Sequence, residues 1–390
     1  MKRERLHFHP LDYAACLGFL AYSASATATP IILVTLSREL GFGLAGAGAL
    51  EVARSALIFM TLLVSGFLAA HLGKVRALAG ASFFLGVGLL LYSQAPVYAA
   101  VLLALALMGI GGGVIEALIN PLVEELHRDD AGRYLNIING FWSVGVLLTM
   151  LTGGEILSRT GTWRPLILII CGVSLLCGSL FLLLRKTGAG RVRIPMRDVW
   201  GHKAEILRHR GFWLFSTLMF FGGAAEGVFT FWTASYVQLV HEGSPRMAGV
   251  AAALFSLGMI ATRFGGGLWV PQRHLLRFVR GSILLGIGVS LLFPGVPPGV
   301  VFYGLLFLGG CSVASFWPSL QALAVERLPL DSTSLFILLS CGGIAGFSFS
   351  SWIIGWLAER TSLQQAFYLV PGLFVVLLAL TLKIPRPVKD

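Results

Sequence analysis

Two carboxylates lie in the middle of long apolar runs, where an acid is costly to keep. Glu116 follows Gly112 and Gly113, and Asn120 and Pro121 come after it. In a helix Asn120 falls one turn beyond Glu116 on the same face, giving a polar stripe that ends where proline loosens the backbone. At bilayer depth a charged side chain costs at least ~2.5 kcal/mol, so this face should meet protein or a water-filled cavity. Glu116 is therefore the candidate proton-exchanging group. The plainer alternative is a permanently protonated carboxyl that hydrogen-bonds a neighbouring helix. Glu226 is placed similarly, with Thr230 and Thr233 on its face and Gly222 and Gly223 before it. That face offers a carboxylate and hydroxyls to a polyol.

Weaker signals surround these two acids. Tyr22, Ser25 and Thr29 share one helical face, although Ser and Thr often bond only a carbonyl of their own helix. Arg54 follows Glu51 by one turn, close to an expected membrane surface; a local ion pair is the plain reading and a gate charge the sharper one. Trp142, Trp232 and Trp317 lie inside apolar runs, as does Tyr236. Aromatic faces can pack on a sugar ring, or simply fill helix interfaces. No Gly-x-x-x-x-Gly-Lys loop is present, which argues against a bound nucleotide as the energy source. The histidines are mostly in loops without metal-ligand spacing, and the cysteines sit in apolar segments where no disulfide is expected. No catalytic set, metal or cofactor is expected; the coupling ion is read as a proton, with sodium as the alternative.

The elements that position these residues are membrane helices. The 390 residues are 56% hydrophobic and 12% charged, against roughly 25% charged in a soluble domain. Spans of about 20 apolar residues suffice to cross a bilayer. Twelve are predicted, at 13–36, 44–70, 76–94, 98–124, 134–158, 163–185, 212–239, 246–270, 277–293, 298–326, 332–357 and 364–384, the ninth being the weakest. The start of the chain imitates a signal peptide, but its apolar run continues through Pro30 to Leu36, too long for a cleaved leader.

The charge of +11 suggests topology rather than nucleic acid. With both termini cytoplasmic, 23 of the 29 basic residues fall inside, Arg263 counted among them, and five fall outside. A multi-pass inner-membrane protein follows. The halves also repeat: Gly112, Gly113 and Pro121 recur as Gly309, Gly310 and Pro318, an offset of 197 that places Trp317 at the position of Asn120. Gly154, Arg159 and Thr160 recur as Gly355, Arg360 and Thr361, and Gly66 maps near Gly266. Two six-helix bundles, 1–185 and 212–390, are joined by a basic linker, 186–211, which either forms an amphipathic helix on the inner leaflet or stays solvated.

Twelve spans, a parallel repeat and the loop Gly66-Phe67-Leu68-Ala69-Ala70-His71-Leu72-Gly73-Lys74-Val75-Arg76 resemble the major facilitator superfamily. The loop is similar to that family's cytoplasmic gating motif at Gly66, Gly73, Lys74 and Arg76, but Ala70 replaces the usual aspartate. Glu116 with Asn120-Pro121, the run Phe141-Trp142-Ser143-Val144-Gly145, and Glu226 followed by Trp232 and Tyr236 resemble the fucose–proton symporter branch and its relatives. The aspartate expected in span one of the fucose symporter itself is missing between Tyr22 and Pro30, so fucose in particular is not implied.

The resemblance implies an all-α membrane fold in two pseudo-symmetric bundles, with spans one, four, seven and ten around a midplane site. It also implies alternating access without enzymatic chemistry. A monomer is expected, with the bilayer and a small solute as its partners, the solute being a sugar or similar polyol. Glu116 would couple the proton. Glu226, Asn120, Thr230, Trp317, Trp142, Trp232, Tyr22 and Tyr236 would meet the solute. The rival readings are an exporter of drugs or lipids with the same fold, and a non-transporting sensor.

Overall fold

A computed structural model describes residues 7–127, 131–185, 204–270 and 274–384. Most of the basic linker and the ends of the chain lie outside them. Among the described residues there are helices and no strands, and twelve stretches are long and apolar enough to cross a membrane. The first six spans are single helices: α1 (Pro10–Leu40), α2 (Leu44–Leu72), α3 (Lys74–Ser93), α4 (Tyr98–Leu126), α5 (Ala131–Thr160) and α6 (Arg164–Leu184). Spans seven to nine are α7 (Arg210–Leu239), α8 (Pro245–Trp269) and α9 (Leu275–Leu292). Span ten is broken into α10 (Val300–Val313) and α11 (Phe316–Arg327). Span eleven is α12 (Ser332–Arg360), and span twelve consists of α13 (Leu363–Ala366) and α14 (Leu369–Thr381).

Local chemistry fixes the joints. The His9 imidazole accepts from the Leu11 amide while Asp12 accepts from the His9 amide, closing the start of α1. Gly73 adopts φ 80°, which favours glycine, and ends α2 where α3 begins. The Asp331 side chain accepts from the Ser334 amide at the head of α12. α1 and α7 are the most enclosed spans, whereas exposed side chains such as Leu103, Leu183 and Val300 form the apolar exterior.

The repeat seen in the letters is also a repeat in packing. A Cβ on Gly145 of α5 would lie 3.1 Å from the Leu20 Cα of α1, and one on Gly346 of α12 would lie 2.9 Å from the Phe220 Cα of α7. Gly113 lets α4 approach α2 at Ile58, as Gly310 lets α10 approach α8 at Met259. Small residues allow membrane helices this proximity, and here they do so at equivalent places in both halves.

The two ends of the bundle differ. An even number of spans puts the first and last helix ends on one side, the termini side. At the opposite, far end the halves are closed. Gly48 of α2 lies against the Trp352 backbone of α12, and Gly249 of α8 against Gly154 of α5. Glu155 of α5 pairs there with Arg246 of α8, and the Ala45 amide donates to Glu359 of α12. At the termini side, α4 makes no comparable contact with α11 or α12 among the described residues, and the interior opens between them.

Candidate functional site

A cavity of about 350 Å³ lies between the halves, with walls from α1, α2, α4 and α5 on one side and α7, α8, α11 and α12 on the other. It reaches toward the termini side past Glu124, Gln321 and Phe336. Glu116, Asn120, Tyr22, Trp142, Glu226, Thr230 and Trp317 all border it. Helix spacing brings Glu116 and Asn120 to one face as expected, and the break before α11 turns Trp317 toward the same space. Two rings are seated against glycines: a Cβ on Gly112 would lie 2.6 Å from the Tyr22 ring, and one on Gly343 would lie 2.7 Å from the Trp317 ring.

The charged groups form two unlike arrangements. Arg54 donates to Glu51 twice, Nε at 3.0 Å and Nη2 at 2.6 Å, and Ser55 Oγ donates to Glu51 Oε1 at 2.8 Å. This ion pair joins residues one turn apart, as the spacing suggests. It is not a surface feature, however: both residues are buried and border the cavity. Arg263 is the second cationic group, and it was expected among the loop charges. It stands inside α8 and lines the cavity. Its Nη1 donates to Ser143 Oγ at 2.9 Å, its Nε to the Ala314 carbonyl at 3.4 Å, and its Nη2 lies 3.5 Å from Glu226 Oε1. Its guanidinium lies 5.4 Å from the Trp142 ring centre, and it interacts electrostatically with Glu116 as well as Glu226. The sequence did hold a signal: Arg263 falls inside the predicted eighth span, as Arg54 falls inside the second. Moving it from the loops leaves 22 inside charges against five, so the bias persists.

Unused hydrogen-bonding capacity marks the second half. Glu226 Oε2 and Thr230 Oγ1 are buried without a hydrogen-bond partner, and Trp317 borders Glu226. Nearer the open side, Asn139 Nδ2 donates to Asn120 Oδ1 at 2.9 Å, and Gln321 Nε2 donates to Ser340 Oγ at 3.0 Å. Asn139, Gln321 and Ser340 were not singled out in the sequence. Asn139 and Ser340 stand at equivalent repeat positions of α5 and α12, which is the pattern that points to them.

Several expected contacts fall elsewhere. Trp232 is fully buried and donates Nε1–H to the Ser351 carbonyl at 3.0 Å, tying α7 to α12. Tyr236 is fully buried among Phe293, Phe302 and Phe367. Both lie outside the cavity lining because their direction on α7 is away from Glu226. Thr233 bonds its own helix at the Phe229 carbonyl, and Ser25 does so at the Tyr22 carbonyl. Thr29 pairs with the Tyr92 hydroxyl at 3.0 Å. Gly222 and Gly223 serve helix packing, against Phe316 and the Gly343 backbone, rather than a polyol face. The motif residues Gly66, Gly73, Lys74 and Arg76 are at the termini side, away from the cavity lining. Lys74 Nζ donates to the Pro121 carbonyl at 3.1 Å and to Glu125 Oε2 at 2.9 Å, so its acid comes from α4 instead of position 70.

Comparison with known proteins agrees with this architecture. The sequence model of the Major Facilitator Superfamily matches residues 14–335. Over 319 residues the chain is 23% identical to an uncharacterized transporter, y4wD, of Sinorhizobium fredii, covering 81% of this chain and 82% of that protein. Over 170 residues it is 26% identical to the multidrug resistance protein MdtG of Serratia proteamaculans, covering 42% of this chain and 41% of the relative. Among solved structures, a D-xylose–proton symporter superposes with a TM-score of 0.79 at 15% identity, covering 97% of this chain and 98% of the other. FucP in its outward conformation gives 0.69 at 16% identity, covering 96% and 99%. At such identities the structures establish the fold alone.

Proposed function

The chain belongs to the major facilitator superfamily and is a multi-pass membrane transporter, and we propose that it moves a small sugar or polyol together with protons. The observation that carries this reading is the cavity itself. It is closed at the far end, open at the termini side, and lined by carboxylates, amides, hydroxyls and indoles of both halves. Amides and hydroxyls exchange hydrogen bonds with a polyol, while Trp142 and Trp317 cover its apolar ring face. Rocking the halves about the cavity would close the termini side and part the glycine contacts of the far end.

Glu116 is the proton-coupling group in this reading. It borders the cavity from the first half with no hydrogen-bond partner among the described residues, and it meets the charge of Arg263 from the second. The ionised carboxylate resists passage through a dry, closed state, and the protonated form does not. Both termini are assigned to the cytoplasm from the basic bias, in a cell inner membrane. Cysteines placed at Gly201 and Ser244 should then label from opposite sides of intact cells.

The central test is proton movement in proteoliposomes on adding a panel of pentoses, hexoses and linear polyols, with a cationic amphiphile beside them. Sugar-dependent proton uptake is the expected result. A response confined to the amphiphile would favour the exporter reading, for which the similarity to MdtG is the specific support.

A further inference from the structure

Arg263 belongs to the second half, yet its contacts straddle the molecule. Ser143 and Trp142 lie in the first half, and Glu226 and the Ala314 carbonyl in the second. The Ala314 contact matters because Ala314 and Ser315 form the break between α10 and α11. A broken membrane helix exposes backbone groups that need other partners, and the guanidinium supplies one. The Ser315 hydroxyl beside it is buried and unpartnered, while the Ala314 amide donates to the Gly310 carbonyl and the Ser319 amide to the Ser315 carbonyl. Two residues later stands Trp317. One side chain therefore touches an acid, the opposite half and the joint that aims an indole into the cavity.

The geometry points to Arg263 as a positioning residue that transmits the charge of Glu116 to the break in span ten. The inference rests on the assignment of Glu116 as the proton-exchanging group. With Glu116 protonated, the cation Arg263 is balanced by the anion Glu226, and its Nε holds the Ala314 carbonyl. With Glu116 ionised, two anions compete for one guanidinium. Neither makes a short hydrogen bond to it in this structure: Glu226 lies at 3.5 Å, and no Glu116 hydrogen bond is present among the described residues. In a low-dielectric cavity such competition is strong. Arg263 is then drawn toward α4, the Ala314 carbonyl is released, and the segment carrying Trp317 loosens.

The other charged groups around Glu116 are accounted for. Tyr22 faces it from α1 and also meets Arg54. Arg54 and Glu51 on α2 satisfy one another, and Lys74 at the head of α3 is bound to Glu125. Glu124 lies further along α4 toward the open side, where the cavity wall reaches past it. Among the described residues, Arg263 and Glu226 are what remains to respond.

Hydrogen–deuterium exchange of the segment 311–320 tests this without any solute, in the purified full chain, with exchange times scaled for the intrinsic effect of pH. In the unsubstituted protein, exchange there should rise about tenfold between about pH 5 and pH 8, the change expected from roughly one unit of differential proton affinity. Glu116→Gln should hold it slow throughout. Arg263→Gln should hold it fast throughout. Arg263→Lys, which keeps the charge but loses the fixed fork of donors, should also be fast and unresponsive. A merely structural arginine would raise exchange and leave the pH response in place. If Glu116→Gln is flat while Arg263→Gln and Arg263→Lys still respond to pH, this inference fails and the proton-coupling role of Glu116 stands. If the response survives in Glu116→Gln, both fail. A flat profile in the unsubstituted protein overturns the link outright.

Discussion

Among the described residues the two halves each place one arginine in the cavity wall, and they treat it differently. In the first half Arg54 and Glu51 are one turn apart on α2 and make two short bonds, with Ser55 adding a third to the acid. The ion pair moves with a single helix, and Tyr22 of α1, which also meets Arg54, belongs to the same half. In the second half Arg263 on α8 reaches Glu226 on α7 at only 3.5 Å and spends its other donors on α5 and on the broken tenth span. An ion pair confined to one helix is unaffected when halves rock. One spread over several helices changes with every rearrangement. The same residue types therefore serve as a fixture on α2 and as a sensor on α8.

The largest effect should come from breaking the fixture. Glu51→Gln leaves Arg54 buried with no compensating charge, and removing one partner of a buried pair costs about 3–5 kcal/mol. Glu226→Gln should cost much less stability, because Arg263 keeps Ser143, Trp142, Ala314 and the nearby Glu116. Thermal unfolding in detergent compares the two. Equal losses would erase the distinction drawn between the halves. Solute affinity should rank them in reverse, with Glu226→Gln weakening binding by about tenfold, the worth of one lost charge-assisted hydrogen bond.

Next in size is the coupling residue that Arg263 is positioned to sense. Glu116→Gln imitates the protonated acid permanently. Accumulation driven by a proton gradient should fall to the level set by simple equilibration, while solute binding and exchange across the membrane persist. Uptake in proteoliposomes with and without an imposed pH gradient measures both. Gradient-driven accumulation by the Gln variant would pass the coupling role to another group, with Glu226 first in line.

Much of this contrast was readable in the letters, and the unreadable part has a physical cause. Helix period and apolar length fix which residues are membranous and which share a face, so Glu116 with Asn120, and Glu226 with Thr230, emerge together. The pairing of Arg54 with Glu51 is local, and spacing alone gives it. Arg263 was missed because its partners are Ser143, Ala314 and Glu226, distant in sequence and brought close only by helix packing. Trp232 and Tyr236 were overvalued for a related reason. α7 is enclosed on nearly every side, so membership of the span did not tell which of its faces meets the cavity. The repeat carried more than expected, since its offsets of 197 and 201 relate not only motifs but also the glycine contacts in each half.

A smaller effect should follow from disturbing the seat of Trp317. Gly343 leaves no room for a methyl group: an added Cβ would stand 2.7 Å from the indole. Gly343→Ala should push the ring toward the cavity and weaken solute binding by about tenfold or less, the lower end of the ~1–3 kcal/mol that overpacking typically costs. Gly112→Ala crowds Tyr22 in the same way from the first half. If the second half is the adaptable one, Gly343→Ala should be the milder of the two, since the break before α11 can absorb the shift. Titrating solute against intrinsic fluorescence would rank them, and a milder Gly112→Ala would count against that view.

The smallest effect concerns the far end, where the halves meet through exposed groups. Arg246 Nε donates to Glu155 Oε2 at 2.6 Å and Arg246 Nη2 donates to Glu155 Oε1 at 3.0 Å, while Arg159 also pairs with Glu155. Water screens such pairs and side-chain ordering offsets most of their attraction, so the folded state should barely notice their loss. The closed conformation should notice slightly more, because Arg246 and Glu155 belong to different halves and separate when that end opens. Arg246→Gln is therefore expected to leave the melting temperature unchanged and to speed maleimide labelling of a cysteine placed at Thr27, on the cavity wall, from the far side. Gly249, which sits against Gly154 beneath the pair, provides the control. Gly249→Trp should wedge that end apart and raise the same labelling far more. Equal labelling in the two variants would mean that the ion pair, rather than the close backbone contact, holds this end shut.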